Sequence, residues 1–172
     1  SDVNAGGTGY LPISLQYSRY TAEHARKQSI AGGDPKENFT NRSYHGKTER
    51  SYNASDLKLV NDTKRIMGDK PVVVLVRADR PFVPEFEPSS DAVLIGLGVS
   101  NQAYLDIVCG QAEPYGLLPL QLPKDMKTVE EQFEDVPRDM ECYKDSDGNV
   151  YDFAFGLNWS GVINDWRVEK YK

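Results

Sequence analysis

Residues 91–123 read DAVLIGLGVSNQAYLDIVCGQAEPYGLLPLQLP, and they decide the fold. The run AVLIGLGV (92–99) is apolar and rich in branched side chains, as a strand covered on both faces would be. Ser100 stands where a helix N-cap belongs. In NQAYLDIVCG, Tyr104, Ile107 and Val108 share one helical face, and Gly110 supplies the stop. A Pro-Tyr-Gly turn follows, and LLPLQLP (117–123) re-enters as a third, shorter strand, at an edge because it holds Pro119.

Upstream, the same grammar repeats. SDLKLVNDTKRIMG (55–68) has Ser55 as a capping residue and Asp56 in the first turn. Leu59, Val60, Thr63, Ile66 and Met67 fall on one helical face, and Gly68 ends the helix. PVVVLV (71–76) is a second run expected to be buried on both faces. Strand, crossover, strand, helix, strand predicts a mostly parallel sheet covered by helices.

The flanks are less regular. Residues 1–54 are loop-rich, with six glycines. Within them LPISLQY (11–17) suggests a short strand. TAEHARKQSI (21–30) suggests a helix capped by Thr21 and ended by Gly32 and Gly33. Residues 34–54 show no sustained period and read as a long loop, a kind of segment that often carries function. After residue 123 come a short helix in KTVEEQFED, a turn in KDSDGN, and the aromatic stretch VYDFAFGLNWSG (150–161).

Bulk properties exclude several functions. The 172 residues bear a net charge of −6, which disfavours wholesale binding to nucleic acid. The acidity is concentrated in residues 124–147, where nine acidic and four basic residues contribute −5, read as a solvated surface segment. No apolar run is long enough to span a membrane. Residues 1–10 have neither the basic start nor the apolar middle of a signal peptide. Cys109 and Cys142 make no metal pattern, and Cys109 reads as a small buried apolar residue. His24 and His45 alone do not supply a zinc site or a Ser-His-Asp triad.

Other motifs weaken on inspection. GGTGY (6–10) and AGGDP (31–35) lack the strand and helix a phosphate loop needs, so no nucleotide cofactor is expected. DSDGN (145–149) opens like a calcium loop, but its twelfth position is Gly156, so an Asp-Gly turn is expected instead. Five Asn-X-Ser/Thr sequons, at Asn38, Asn41, Asn53, Asn61 and Asn158, are read as coincidence.

Residues 91–123 closely resemble the C-terminal α/β domain of glycoside hydrolase family 3, the β-glucosidase and β-xylosidase family. There a strand opening on Asp-Ala leads to a helix that stops at Gly, followed by Pro-Ser-Gly and a Leu-Pro strand. Gly110, Pro114, Gly116, Leu118 and Pro119 match that pattern, with Tyr115 in place of the usual Ser. KPVVVLVRADRPFV (70–83) resembles the family strand that ends near a bound sugar. YDFAFGLNWSG (151–161) resembles the element Tyr-Pro-Phe-Gly-x-Gly-Leu-Ser-Tyr through Phe153, Gly156 and Leu157, with Asp152 and Asn158 departing from it. The likeness spans about residues 55–163, and residues 1–54 fit a variant branch less well.

The resemblance implies a flavodoxin-like α/β sandwich that is part of a longer retaining β-glycosidase. Such an enzyme acts on terminal non-reducing β-linked sugars, with its nucleophilic Asp on an N-terminal barrel that this chain does not contain. The family's acid/base is often a Glu from a loop of this domain. By location Glu49 and Glu37 are the candidates, and Arg42, Tyr44 and Lys47 of the same loop are candidate sugar contacts. The expected partners are a carbohydrate and the barrel domain, without nucleic acid, membrane, metal or cofactor. A periplasmic or secreted setting would suit such an enzyme. The other readings are a non-catalytic carbohydrate-binding or scaffold module of the same fold, and a nucleotide- or flavin-binding α/β domain.

Overall fold

A computed structural model describes residues 14–27, 43–49, 52–133 and 136–171. Helix α1 spans Ala54–Met67, strand β1 Val73–Arg77, strand β2 Ala92–Gly96 and helix α2 Asn101–Val108. A short helix α3 covers Met126–Glu131, a minimal hairpin pairs β3 (Leu157–Asn158) with β4 (Gly161–Val162), and α4 covers Trp166–Tyr171. The helix expected in KTVEEQFED is therefore present but short.

β1 and β2 run parallel, with Val73 opposite Ala92 and Arg77 opposite Gly96. The connection between them is irregular, holding only a 3₁₀ turn at Glu87–Ser89. The chain is an α/β protein with a small parallel sheet of two strands among the described residues.

The caps explain where the helices end. Ser100 Oγ accepts the Ala103 N–H at 3.4 Å and opens α2, as its sequence position suggested. Asn53, not Ser55, is the N-cap of α1. Gly68, at φ +59°, turns the chain at the other end while its N–H bonds the Lys64 carbonyl. The α1 stripe proves only partly covered: Val60 packs toward the core, whereas Leu59 and Ile66 stay exposed.

The core lies on one face of the sheet. Val76, Phe82, Phe86, Leu122 and Tyr151 form its centre, with Val74, Val93 and Ile95 packed against them. Phe86 meets Tyr17 edge-on at 5.3 Å, and Tyr151 stacks on Phe155 at 5.2 Å. The opposite face is open: Val73 and Leu75 are exposed, so β1 is not buried on both faces as its composition suggested.

Three further expectations need correction. Residues 117–123 bend at Pro119 and Leu120, bridge Cys142 through Pro123, and form no ladder with β1 or β2 among the described residues. Pro119 and Pro123 lack N–H groups, and the Leu118 and Leu122 N–H groups go to the Phe155 and Tyr151 carbonyls instead. Residues 21–27 are not helical. The Ala22 N–H bonds the Lys47 carbonyl, the Ala22 carbonyl accepts the Gly46 N–H, and Thr21 bridges Thr48, so the start of the segment pairs with a distant turn instead of with itself. Cys109, finally, is exposed, and both cysteines are free.

The Asp-Gly turn is where it was expected. Asp145 accepts the N–H groups of Asp147 and Asn149, Gly148 sits at φ +89°, and Lys144 bridges Val150.

Two glycines are fixed by crowding. A Cβ on Gly96 would lie 2.1 Å from the Tyr104 hydroxyl, which donates to the Val76 carbonyl at 2.7 Å and ties α2 to β1. A Cβ on Gly156 would lie 2.3 Å from the Gly116 carbonyl oxygen, a backbone atom with no rotamer to move. Gly156→Ala should therefore lower unfolding free energy by about 1–3 kcal/mol, measured by urea denaturation; an unchanged midpoint would refute the crossing.

Asp91 links three elements. Its carboxylate accepts the Val72 N–H at 2.7 Å and the Lys64 ammonium at 2.7 Å. The Lys64 contact first, and the Val72 N–H second, hold its pKa below the usual carboxylate value. The stabilisation is thus full above the unfolded-state value and is lost as pH falls through the lower folded-state value. The stability gap between the parent protein and Asp91→Asn should shrink as pH drops from about 5 toward about 2, read from urea midpoints.

Candidate functional site

The loop leaving β1 carries the residues that gather the rest of the molecule. Ala78 extends the parallel ladder by one bond, its N–H donating to the Gly96 carbonyl at 3.0 Å. The chain then passes through Phe82, Val83 and Pro84, all buried. The Val83 N–H bonds the Leu15 carbonyl at 2.7 Å and brings residues 14–18 alongside.

Glu85 completes that attachment. One carboxylate oxygen accepts the Tyr17 N–H at 2.5 Å and the Ser18 N–H at 3.0 Å, and the other accepts the Ser18 hydroxyl. Two further carboxylates repeat the device along the same segment. Glu49 Oε1 accepts the Tyr20 N–H at 2.5 Å, and Glu130 Oε2 accepts the His24 N–H at 3.0 Å. From Tyr17 to His24 an irregular segment is thus anchored by acidic side chains from three distant parts of the chain. Charge-assisted hydrogen bonds of this kind are stronger than neutral ones.

Tyr20 lies between two of these acids. Its main-chain N–H faces Glu49 and its ring hydroxyl lies beside Glu130. Burial first, then the Glu130 carboxylate, pushes the phenol pKa well above its ordinary value, which favours the protonated hydroxyl. Glu49 and Glu130 are 5 % and 4 % exposed. Glu49 Oε2, Glu130 Oε1 and the Tyr20 hydroxyl are buried without a well-formed hydrogen bond among the described residues. Orphaned buried polar atoms are costly and rare, and three around one tyrosine mark the place as unusual.

Of the five residues singled out in the sequence, three come together here. Tyr44, Lys47 and Glu49 occupy one turn, in which the Lys47 N–H bonds the Tyr44 carbonyl and Gly46 takes φ +73°. Glu37 and Arg42 lie outside the described residues. The sequence reading missed Glu85 and Glu130. Residues 124–147 read as a solvated acidic surface, yet Glu130 shares the buried side of α3 with Met126. The signal was the four-residue spacing of Met126 and Glu130, one helical turn apart.

If the acids anchor residues 17–24, Glu85→Ala should cost about 1–3 kcal/mol, because it orphans two main-chain donors. Glu85→Gln, which keeps an acceptor, should cost less than half of that. Hydrogen exchange at Tyr17 and Ser18 should accelerate in the alanine variant before exchange in β1; equal protection in parent and variant would remove the anchoring role.

β-Glucosidase C of Emericella nidulans is 37% identical to this chain over 120 residues, 67% of the chain and 18% of the relative. Probable β-glucosidases C of Aspergillus flavus and Aspergillus oryzae are each 37% identical over 106 residues, 58% of the chain and 16% of the relative. No protein-family model matches the chain. No solved structure matches it. The chain spans less than a fifth of the length of these curated relatives. The motifs of residues 55–163 and these relatives agree: the chain is a homologue of part of the β-glucosidases, consistent with the C-terminal domain of glycoside hydrolase family 3.

Proposed function

We propose that this chain is the C-terminal α/β-sandwich domain of a family 3 retaining β-glycosidase, forming one wall of the pocket that holds a terminal β-linked sugar. The observation that carries this reading is the 37% identity to β-glucosidase C of Emericella nidulans over 120 residues, joined to three family-like motifs in order along residues 70–161. The parallel pair supports it, because irregular segments cluster beyond the carboxyl end of β1, where open α/β sheets bind ligands.

In that enzyme one carboxylate attacks the anomeric carbon and a second protonates the departing oxygen, then activates water to release the sugar. The nucleophile belongs to the barrel domain, and the second carboxylate is assigned to the loop holding Glu37 and Glu49. Glu49 already holds the Tyr20 N–H with one oxygen, while its other oxygen has no protein partner among the described residues.

The test compares this chain with the intact reading frame on aryl β-glucoside and β-xyloside. The long form should turn over substrate and the 172-residue chain should not; turnover by the short chain alone would overturn the assignment. In the long form, replacing the acid/base by Gln should abolish hydrolysis of poor leaving groups, with azide restoring turnover of activated ones. If Glu37→Gln shows this pattern and Glu49→Gln loses only stability, Glu49 is a structural anchor. The reverse result makes Glu49 the acid/base.

A further inference from the structure

A cleft of about 1030 Å³ opens between residues 117–121, residues 132–133 and 136–140, and residues 153–154, with Arg167 of α4 in its lining. Its size suits a ligand of several rings. Three features separate it from an ordinary surface hollow.

The first is backbone strain. Arg138 (φ +63°) and Ala154 (φ +64°) are the non-glycine residues in the left-handed region among the described residues, and both line this cleft. Such conformations cost free energy and concentrate at binding sites.

The second is the character of the walls. Phe153 and Phe133 line it and are 37% and 54% exposed, beside Leu117 and Pro119. Polar groups converge among them. The Gln121 side-chain N–H donates to Asp152 at 2.8 Å, which leaves its carbonyl oxygen as an acceptor. Asp139 accepts the Phe133 N–H with one oxygen, and the Gln132 side chain makes no hydrogen bond among the described residues. Flat apolar faces beside amides and a carboxylate match the two sides of a pyranose ring, its axial C–H face and its equatorial hydroxyls.

The third is charge. Arg167 is held by Asp165 through paired bonds of 2.8–3.1 Å and lies 3.7 Å from the Tyr115 ring. Arg138 lies 5.4 Å from the Phe153 ring and neighbours Asp139 in sequence. Asp165 pairs with Arg167, and the cleft's own lining adds the Asp139 carboxylate to the Arg138 guanidinium, so it carries no marked excess of positive charge and favours a neutral ligand over an anion.

We propose that this cleft binds a neutral oligosaccharide, with a sugar ring on Phe153 and its hydroxyls on Gln121, Gln132 and Asp139. The choice of a β-linked glucan rests on the β-glycosidase reading above; the cleft itself does not.

The test titrates the 172-residue chain with cellotetraose and follows backbone amide resonances. Shifts should concentrate in residues 117–121, 132–133, 136–140 and 153–154. Phe153→Ala should weaken binding about tenfold, Gln132→Ala should weaken it less, and Leu59→Ala on the exposed side of α1 should change nothing. Phe153→Leu guards against a folding artefact, since it keeps apolar volume but removes the ring, and should bind as weakly as the alanine variant. No shifts at saturating sugar, shifts elsewhere, or Phe153 variants that bind like the parent would each overturn the proposal. The outcome is separable from the enzyme assignment. An active long form without sugar-dependent shifts removes the cleft alone. Cleft binding beside an inactive long form removes the assignment alone.

Discussion

The crossing of two backbones at Gly116 and Gly156 is the constraint on which the second half of the molecule depends. At this point the carbonyl of one segment occupies the space a side chain on the other would need. Around it the N–H groups of Leu118 and Leu122 reach the carbonyls of Phe155 and Tyr151, and the Ala154 N–H returns to Leu118. This pairing buries Leu122 completely and sets Tyr151 beneath it in the core. Two motifs far apart in sequence are thus one structural unit, and the backbone of the first dictates the glycine at position 156 of the second.

A second unit is built by different means. Residues 14–24 have too little regular structure to satisfy their own backbone donors, and Glu85, Glu49 and Glu130 supply the acceptors. Buried donors must be paired somewhere, and a carboxylate reaching from another element is one solution when no neighbouring strand is available. The arrangement couples the irregular first part of the chain to β1, to the 43–49 turn and to α3 at once. It also leaves three orphaned oxygens around Tyr20, which ties the anchoring to the place where the candidate acid Glu49 resides.

The elements that local chemistry dictates were legible in the sequence. α1, β1, β2 and α2 follow from periodicity and branched residues, the Ser100 cap and the Gly68 and Gly110 stops from capping rules, and the Asp145 turn from its Asp and Gly. What failed was decided by distant partners. Residues 21–27 carry a helical pattern, yet residues 46–49 take their hydrogen bonds. Residues 117–123 carry a strand pattern, yet their donors are spent on residues 151–155. Glu130 looked solvated because its stretch is acidic, and only the packing of α3 shows it to be buried. Of the candidate site, the sequence offered Tyr44, Lys47 and Glu49 as members of one loop but could not reveal that Glu49 accepts the Tyr20 N–H, since that contact spans 29 residues.

The open face of the parallel pair has a practical consequence. β1 and β2 are each paired on one side only among the described residues, and Val73 and Leu75 lie bare beside them. Unpaired strand edges next to exposed apolar side chains template addition of further strands from neighbouring molecules. Handled by itself at high concentration, the polypeptide is therefore prone to self-association along this face, and charged replacements at Val73 or Leu75 are the rational route to a well-behaved sample.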